Sequence, residues 1–245
     1  MTNQQLKPNP TLIQILKDLN LNLTTNPRGT DKGDYKSYVT DFYESEFSRR
    51  RLNKNRLLEI GVRSGASLAL WANFFENIEI IGLDIEEVGS PVGPVKEYID
   101  YPSVKFFCDD AYKQEVADNF KGEFSILIDD GPHSLSSQIR FLDLYLDKLA
   151  IDGVLIIEDI LFGYRDCIQL MKKLPKGNKY LFEIYNFERI KKDGGFLFVV
   201  RHNKQGKAFY FRKALLLINV IYELLGVLRR RIMRGDFSFK SRRND

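Results

Sequence analysis

The chain is poor in the residues from which disulfide scaffolds and metal-thiolate sites are made. Two cysteines, Cys108 and Cys167, in 245 residues exclude a disulfide framework and a cysteine metal cluster, and make a reducing compartment the expectation. The opening stretch MTNQQLKPNP lacks a basic region followed by an apolar core, so no secretory signal is expected. An apolar run over residues 214–228 is broken by Asn219, Tyr222, Glu223 and Gly226. It is shorter than the roughly 20 residues that span a bilayer. No internal repeat and no low-complexity segment occurs. What is present, 44% hydrophobic and 29% charged residues, suits a soluble chain long enough for one α/β domain with a full core.

The net charge of +4 hides an asymmetry. Residues 201–245 carry 12 Lys or Arg against 3 Asp or Glu, leaving 25 against 30 in residues 1–200. A basic end of this kind suits contact with phosphates or an anionic membrane surface, and equally a solvated end. Residues 214–228 with Arg229, Arg230 and Arg231 read as a basic amphipathic helix. Such a helix lies on a membrane, packs on a partner subunit in a homo-oligomer, or packs on its own domain. The expected location is therefore cytoplasmic, peripheral at the inner membrane surface if the tail binds there.

Three parts are expected: an N-terminal helical or lid segment over 1–55, an α/β domain over 56–203 and the basic tail over 204–245. In the first, Thr11 to Leu19 has helical apolar spacing, residues 20–36 form a polar loop, and Tyr38 to Phe47 is an aromatic helical stretch whose rings are read as packing. From Arg56 onward apolar runs alternate with helical patterns. Strands are expected at 56–60, 79–84, 104–108, 124–129 and 154–158, and helices at 66–76, 112–120 and 135–149, with a looser segment at 94–101. A helix at 164–173 follows, then two more strands at 180–186 and 195–200, joined by a charged turn with Asp193, Gly194 and Gly195. Strands alternating with helices predict a doubly wound, mostly parallel sheet of seven strands with helices on both faces.

The chemistry is written at the strand ends. SILIDDGPH, residues 125–133, runs from an apolar strand into Asp129 and Asp130, a Gly-Pro turn and His133, one of two histidines. In open α/β sheets ligands bind outside the carboxyl ends of the strands. A single aspartate here would serve as well to cap the following helix. Further acids at other strand ends are harder to account for as caps: Glu59, Asp84, Asp109, and the pair Glu158 and Asp159. The turn after Glu59 holds Gly61 and Gly65, with Arg63 and Ala66 where a dinucleotide fingerprint needs glycine, so the pattern fails for NAD.

An acid before a turn with glycines four apart resembles the first motif of class I S-adenosylmethionine-dependent methyltransferases. There glycine lets the backbone approach the cofactor and the carboxylate pairs with its ammonium group. The resemblance implies a Rossmann-like fold. It also implies that Glu59, Gly61 and Gly65 meet the methionine end of S-adenosylmethionine, Asp84 the ribose hydroxyls and Asp109 the adenine amino group. Cys108 stands where glycine usually precedes that last acid. GTDKG at 29–33, LLEIGV at 57–62, IDDGPH at 128–133 and IIEDI at 156–160, in this order, are similar to the metal-dependent sugar O-methyltransferases of macrolide biosynthesis and related polysaccharide-modifying enzymes. That group includes proteins labelled cephalosporin hydroxylase-like.

This likeness implies Mg²⁺, with Mn²⁺ as a substitute, held by Asp130, Glu158 and Asp159, and His133 as catalytic base beside Asp130. Thr30, Asp31 and Lys32 would close over cofactor and substrate. Pro132 departs from the serine usual in the motif. The expected acceptor is a hydroxyl of a sugar in a polysaccharide, a lipid-linked glycan or a glycoside. A macrolide-type natural product and a nucleic acid are the alternatives, the latter disfavoured because no Asn-Pro-Pro-Tyr type sequence is present. A third reading is a binding protein on the same fold without catalysis.

Overall fold

The computed structural model describes residues 9–86, 102–177, 179–188 and 194–204. The looser segment at 94–101, Asp193 and almost all of the basic tail lie outside the described residues. The elements run α1 (Leu12–Asp18), a π-helical turn (Val39–Tyr43) continuing into α2 (Glu44–Ser48), β1 (Lys54–Ile60), α3 (Ala66–Phe74), β2 (Asn77–Asp84), β3 (Val104–Cys108), α4 (Gln114–Ala117), β4 (Phe124–Asp129), α5 (Leu135–Tyr145), β5 (Leu149–Ile157), α6 (Tyr164–Lys173), β6 (Tyr180–Asn186) and β7 (Phe196–His202).

All seven strands form one sheet in the order β3-β2-β1-β4-β5-β7-β6. The first five pair in parallel, and β7 runs antiparallel to both β5 and β6. Successive side chains on a strand face opposite ways, and the core divides accordingly. Leu57, Ile126, Ile128, Val154, Ile156 and Val199 pack with residues of α1, the π-turn, α2 and α3. Their neighbours Leu58, Leu127, Leu155, Ile157 and Val200 pack with residues of α4, α5 and α6. Both faces are covered, which is why the central strands read as unbroken apolar runs.

The strand order reverses between β1 and β4. Crevices for ligands open at such a switch point.

Differences from the expected elements have local causes. β5 begins at Leu149, not Val154, because Phe124 pairs with Leu149 before a register shift. The intervening Asp152 and Gly153 are residue types depleted in strands. α4 is only four residues long: Tyr112 N is drawn to the Asp110 carboxylate at 3.0 Å, and the bonds from Asn119 and Phe120 tighten to i−3.

Among the described residues no helix is long and apolar enough to cross a membrane.

Candidate active site

The turn leaving β1 is pressed against the one leaving β4. Gly61, at φ +82°, has no room for a side chain: a Cβ would lie 2.0 Å from the carbonyl oxygen of Asp130. Gly61 N bonds Leu83 O and Asp130 N bonds Ile60 O, each at 2.9 Å. The ends of β1, β2 and β4 are thereby stapled together. Beside them opens a cleft of about 550 Å³ walled by Gly61, Arg63, Ser64, Asp84, Asp109, Asp110, Asp130 and His133, with Thr30 and Asp31 opposite.

Asp84 organises this wall as well as facing it. One of its oxygens accepts from Arg63 N at 2.7 Å and the other from Glu86 N at 3.1 Å. Asp109 N bonds Asp84 O at 2.9 Å, and its carboxylate accepts from Asp110 N at 2.8 Å. The 20–36 loop is tied across the cleft by the Ser64 hydroxyl, which donates to Arg28 O. Gly65, at φ +80°, starts α3 just behind the wall.

Glu59 and Lys32 lie beneath the wall and are fully buried. Glu59 Oε2 accepts from the Trp71 indole at 2.8 Å, and Glu59 Oε1 is 3.4 Å from Lys32 Nζ. The same ammonium is 2.9 Å from Glu158 Oε1 and in contact with Asp130 Oδ2. Lys36 Nζ donates to Asp159 Oδ1 at 2.7 Å. Four carboxylates from the ends of β1, β4 and β5 therefore meet two ammonium groups delivered by one loop.

The other oxygens of two of these acids turn outward. His133 Nε2 is 4.0 Å from Asp130 Oδ1 and 3.8 Å from Asp159 Oδ2, and one ligand atom from each of Asp130, His133 and Asp159 lies within 4.8 Å of the others. Glu158 is not in that group. It is buried behind it, and its Oε1 accepts from the Tyr43 hydroxyl as well as from Lys32. His133 and Asp159 both have left-handed backbones, at φ +57° and +53°. Non-glycine residues rarely adopt that conformation, at a cost of about 1–3 kcal/mol each, and it persists where surroundings over-determine it.

Protonation follows from burial and neighbours. Burial alone would drive the Lys32 ammonium neutral, but the charges of Asp130, Glu158 and Glu59 outweigh it and hold its pKa well above the ordinary value. Burial pushes Glu158 up to about 7, with Lys32 pulling the other way. For Asp159 the desolvation cost is overcome by Lys36 and Tyr38, and its pKa falls. Burial lowers His133 below the usual imidazole value against the pull of Asp159, so the ring is neutral near pH 7. Asp129, fully buried and held by the Tyr112 hydroxyl, is raised to about 6 by desolvation.

Sequence reasoning missed four residues of this site: Lys36, Tyr38, Tyr43 and Tyr112. The 38–47 aromatics do pack, Tyr43 and Phe47 against Trp71 and Tyr38 against Phe187. Their hydroxyls also reach the acids, Tyr38 donating to Asp159 at 2.6 Å and Tyr43 to Glu158. The signal available was the spacing of Lys32, Lys36, Tyr38 and Tyr43 upstream of an acid-rich sheet edge. Gly195 completes the fit, since a Cβ there would lie 2.4 Å from the Tyr38 hydroxyl and 2.7 Å from Asp159 Oδ1.

Residues 58–160 match the family profile described as a methyltransferase domain. Mycinamicin VI 2''-O-methyltransferase of Micromonospora griseorubida is 30% identical over 147 residues, covering 55% of this chain and 34% of that protein. Demethylmacrocin O-methyltransferase of Streptomyces fradiae is 29% identical over 151 residues, covering 59% and 37%. The chain thus spans about a third of the length of these curated relatives. Among solved structures, the MycE methyltransferase from the mycinamycin biosynthetic pathway, in complex with Mg, SAH and mycinamycin VI, superposes with a TM-score of 0.58 at 21% identity. That match covers 82% of this chain and 57% of MycE. A Klebsiella pneumoniae protein described as a putative O-methyltransferase gives 0.56 at 14% identity, covering 81% and 92%. The fold is the Rossmann-like fold of class I methyltransferases.

Proposed function

We propose that this chain, with its methyltransferase domain at residues 58–160, transfers a methyl group from S-adenosylmethionine to a hydroxyl of a sugar-bearing acceptor. The observation that supports the reading is the meeting of Asp130, Asp159 and His133 at the edge of a cleft lined with acids suited to a nucleoside. In the cleft, the Gly61 turn admits the methionine end of the cofactor, Asp84 accepts from the ribose hydroxyls and Asp109 faces the adenine.

A sugar hydroxyl is a poor nucleophile at neutral pH. His133, neutral near pH 7 and partly exposed, takes its proton as the hydroxyl oxygen attacks the sulfonium methyl carbon. The C–O bond forms, the C–S bond breaks, and its electron pair leaves on sulfur as S-adenosylhomocysteine. Asp159, fixed by Lys36 and Tyr38, lies 3.8 Å from His133 Nε2 and balances the charge the imidazole gains.

The donor set fits a hard divalent cation: carboxylate oxygens of Asp130 and Asp159 converge with no thiolate near, which favours Mg²⁺ over softer metals. Those two acids would hold it, and when bound it supplies positive charge that acidifies neighbouring sugar hydroxyls. The acceptor class stays close to the rhamnosyl and olivosyl compounds in the names of two further relatives, 8-demethyl-8-(2-methoxy-alpha-L-rhamnosyl)-tetracenomycin-C 3'-O-methyltransferase and L-olivosyl-oleandolide 3-O-methyltransferase. The basic segment 201–245 suits a lipid-linked or polymeric glycan at an anionic surface, in which case deleting residues 207–245 removes vesicle binding but spares a soluble sugar substrate.

The test is transfer of labelled methyl groups to a panel of deoxyhexosides while Mg²⁺ is titrated, with Asp130→Ala and His133→Ala beside wild type. Cofactor binding retained with turnover lost in both variants supports the roles. Undiminished turnover after chelation rejects the metal, and no acceptor methylated by wild type rejects the activity.

A further inference from the structure

Resting on the reading of His133 as base, we propose that Tyr112 is a positioning residue of the reaction: its hydroxyl, clasped by Asp129, fixes the turn that carries His133 against the cofactor cleft. Tyr112 follows Asp109 and Asp110, the acids at the nucleoside end, and lines the same cleft as Gly131, Pro132 and His133. One phenol therefore joins the cofactor wall to the base.

That phenol is held at both ends. Its backbone is fixed by Tyr112 N to Asp110 Oδ1 at 3.0 Å and by Arg140 Nε to Tyr112 O at 3.1 Å, while Ala111 O accepts from the Tyr145 hydroxyl at 2.8 Å. Arg140 and Tyr145 belong to α5, the helix that follows His133. At the other end the hydroxyl donates to Asp129 Oδ1. Asp129 is buried at the end of β4, and its carbonyl accepts from Glu158 N at 2.9 Å, so this acceptor is itself fixed in the sheet. Its Oδ2 has no partner among the described residues, which leaves the phenol as its side-chain donor.

The space around Gly131 shows what the hydroxyl does. A Cβ there would lie 2.1 Å from the Tyr112 hydroxyl oxygen and 3.2 Å from its Cζ. The Gly131 backbone lies outside the left-handed region, so the phenol, not the local conformation, requires glycine. The β1 turn presses on the same residues, since a Cβ at Gly61 would lie 2.9 Å from Gly131 Cα. With two neighbours in contact there is no slack, and a displacement at Gly131 carries to His133 two residues on. A misplacement of about 1 Å costs on the order of a hundredfold in rate.

The test is Tyr112→Phe in the full chain with SAH bound, read from the imidazole proton resonances of its two histidines, with His202 on β7 as internal reference. Expected are SAH affinity within about threefold of wild type, a His133 resonance shifted or broadened, and an unmoved His202. In turnover kcat falls about tenfold or more, while KM for S-adenosylmethionine holds. Gly131→Ala displaces His133 as well, because its Cβ meets the phenol. Added to Tyr112→Phe, it brings the resonance and kcat back toward wild type, since the methyl takes the place of the hydroxyl. A merely structural role would give no such return. Circular dichroism checks folding, and if Tyr112→Phe does not fold, Gly131→Ala decides alone, an unmoved His133 there overturning the proposal. An unmoved His133 in Tyr112→Phe, or no return in the double variant, overturns this proposal and leaves the methyltransferase reading standing. Wild type that binds no SAH or methylates no acceptor overturns that reading and this proposal with it.

Discussion

Replacing Lys32 by methionine keeps the volume of the buried stem and deletes one charge, which makes it a clean probe of the acid cluster. The ammonium serves Glu158 at 2.9 Å, Glu59 at 3.4 Å and Asp130 in direct contact, all out of solvent. Removing one partner of a buried ion pair costs about 3–5 kcal/mol, a large part of the roughly 5–15 kcal/mol that holds a domain folded. With a urea m-value near 3 kcal/mol/M, the unfolding midpoint falls by about 1 to 1.7 M.

The pH dependence has a definite sign. Glu158 already sits at about 7 with the ammonium in place, and without it the folded-state pKa rises further. A carboxyl whose folded pKa lies above its unfolded one loses stability as pH rises. The deficit of Lys32→Met is therefore greatest at pH 8 and shrinks toward pH 5.5, where the acids protonate. Urea unfolding followed by circular dichroism at the two pH values, in chelator, measures both quantities. Equal midpoints for the variant and wild type at pH 8 would mean that Lys32 is solvated and the buried cluster is wrong.

Three further outcomes are expected. Gly195→Ala places a Cβ 2.4 Å from the Tyr38 hydroxyl and 2.7 Å from Asp159; turnover falls by about a hundredfold while SAH affinity, measured by calorimetry, stays at the wild-type value. The acid limb of kcat/KM lies below the free-imidazole value of about 6.5, because burial lowers His133 and the ring stays neutral to lower pH; His133→Ala removes that limb along with the activity. Asp129, raised from 3.8 to about 6 in the folded chain, makes stability fall by about 2.4 kcal/mol as pH rises from 4 to 7. Asp129→Asn flattens that slope, as urea midpoints across this range would register.

The sheet was legible because its central strands are buried on both faces and show as apolar runs such as Ile126–Ile128 and Val154–Ile157. The glycine turn was equally plain, since Gly61 must let the Asp130 carbonyl approach. What escaped was the contribution of residues 36–43 and the burial of Lys32. The family likeness singles out Lys32, with Thr30 and Asp31, as closing over cofactor and substrate; its burial follows only from acids that arrive from three strands far along the chain. The aromatic spacing of 38–47 predicted packing correctly. It carried no sign that a π-helical turn would bring the hydroxyls of both Tyr38 and Tyr43 onto the acid pair. Glu59 shows the converse: its motif points to the cofactor, while in the structure its carboxylate is taken up by Trp71 and Lys32.

Crystals of the chain grown with SAH and Mn²⁺, measured for anomalous scattering, address the central claim most directly. The account predicts the adenosine in the cleft beside Asp84 and Asp109, its sulfur turned toward His133, and a Mn²⁺ peak against Asp130 and Asp159. Adenosine outside that cleft, or a sulfur facing away from the His133 ring, would contradict it.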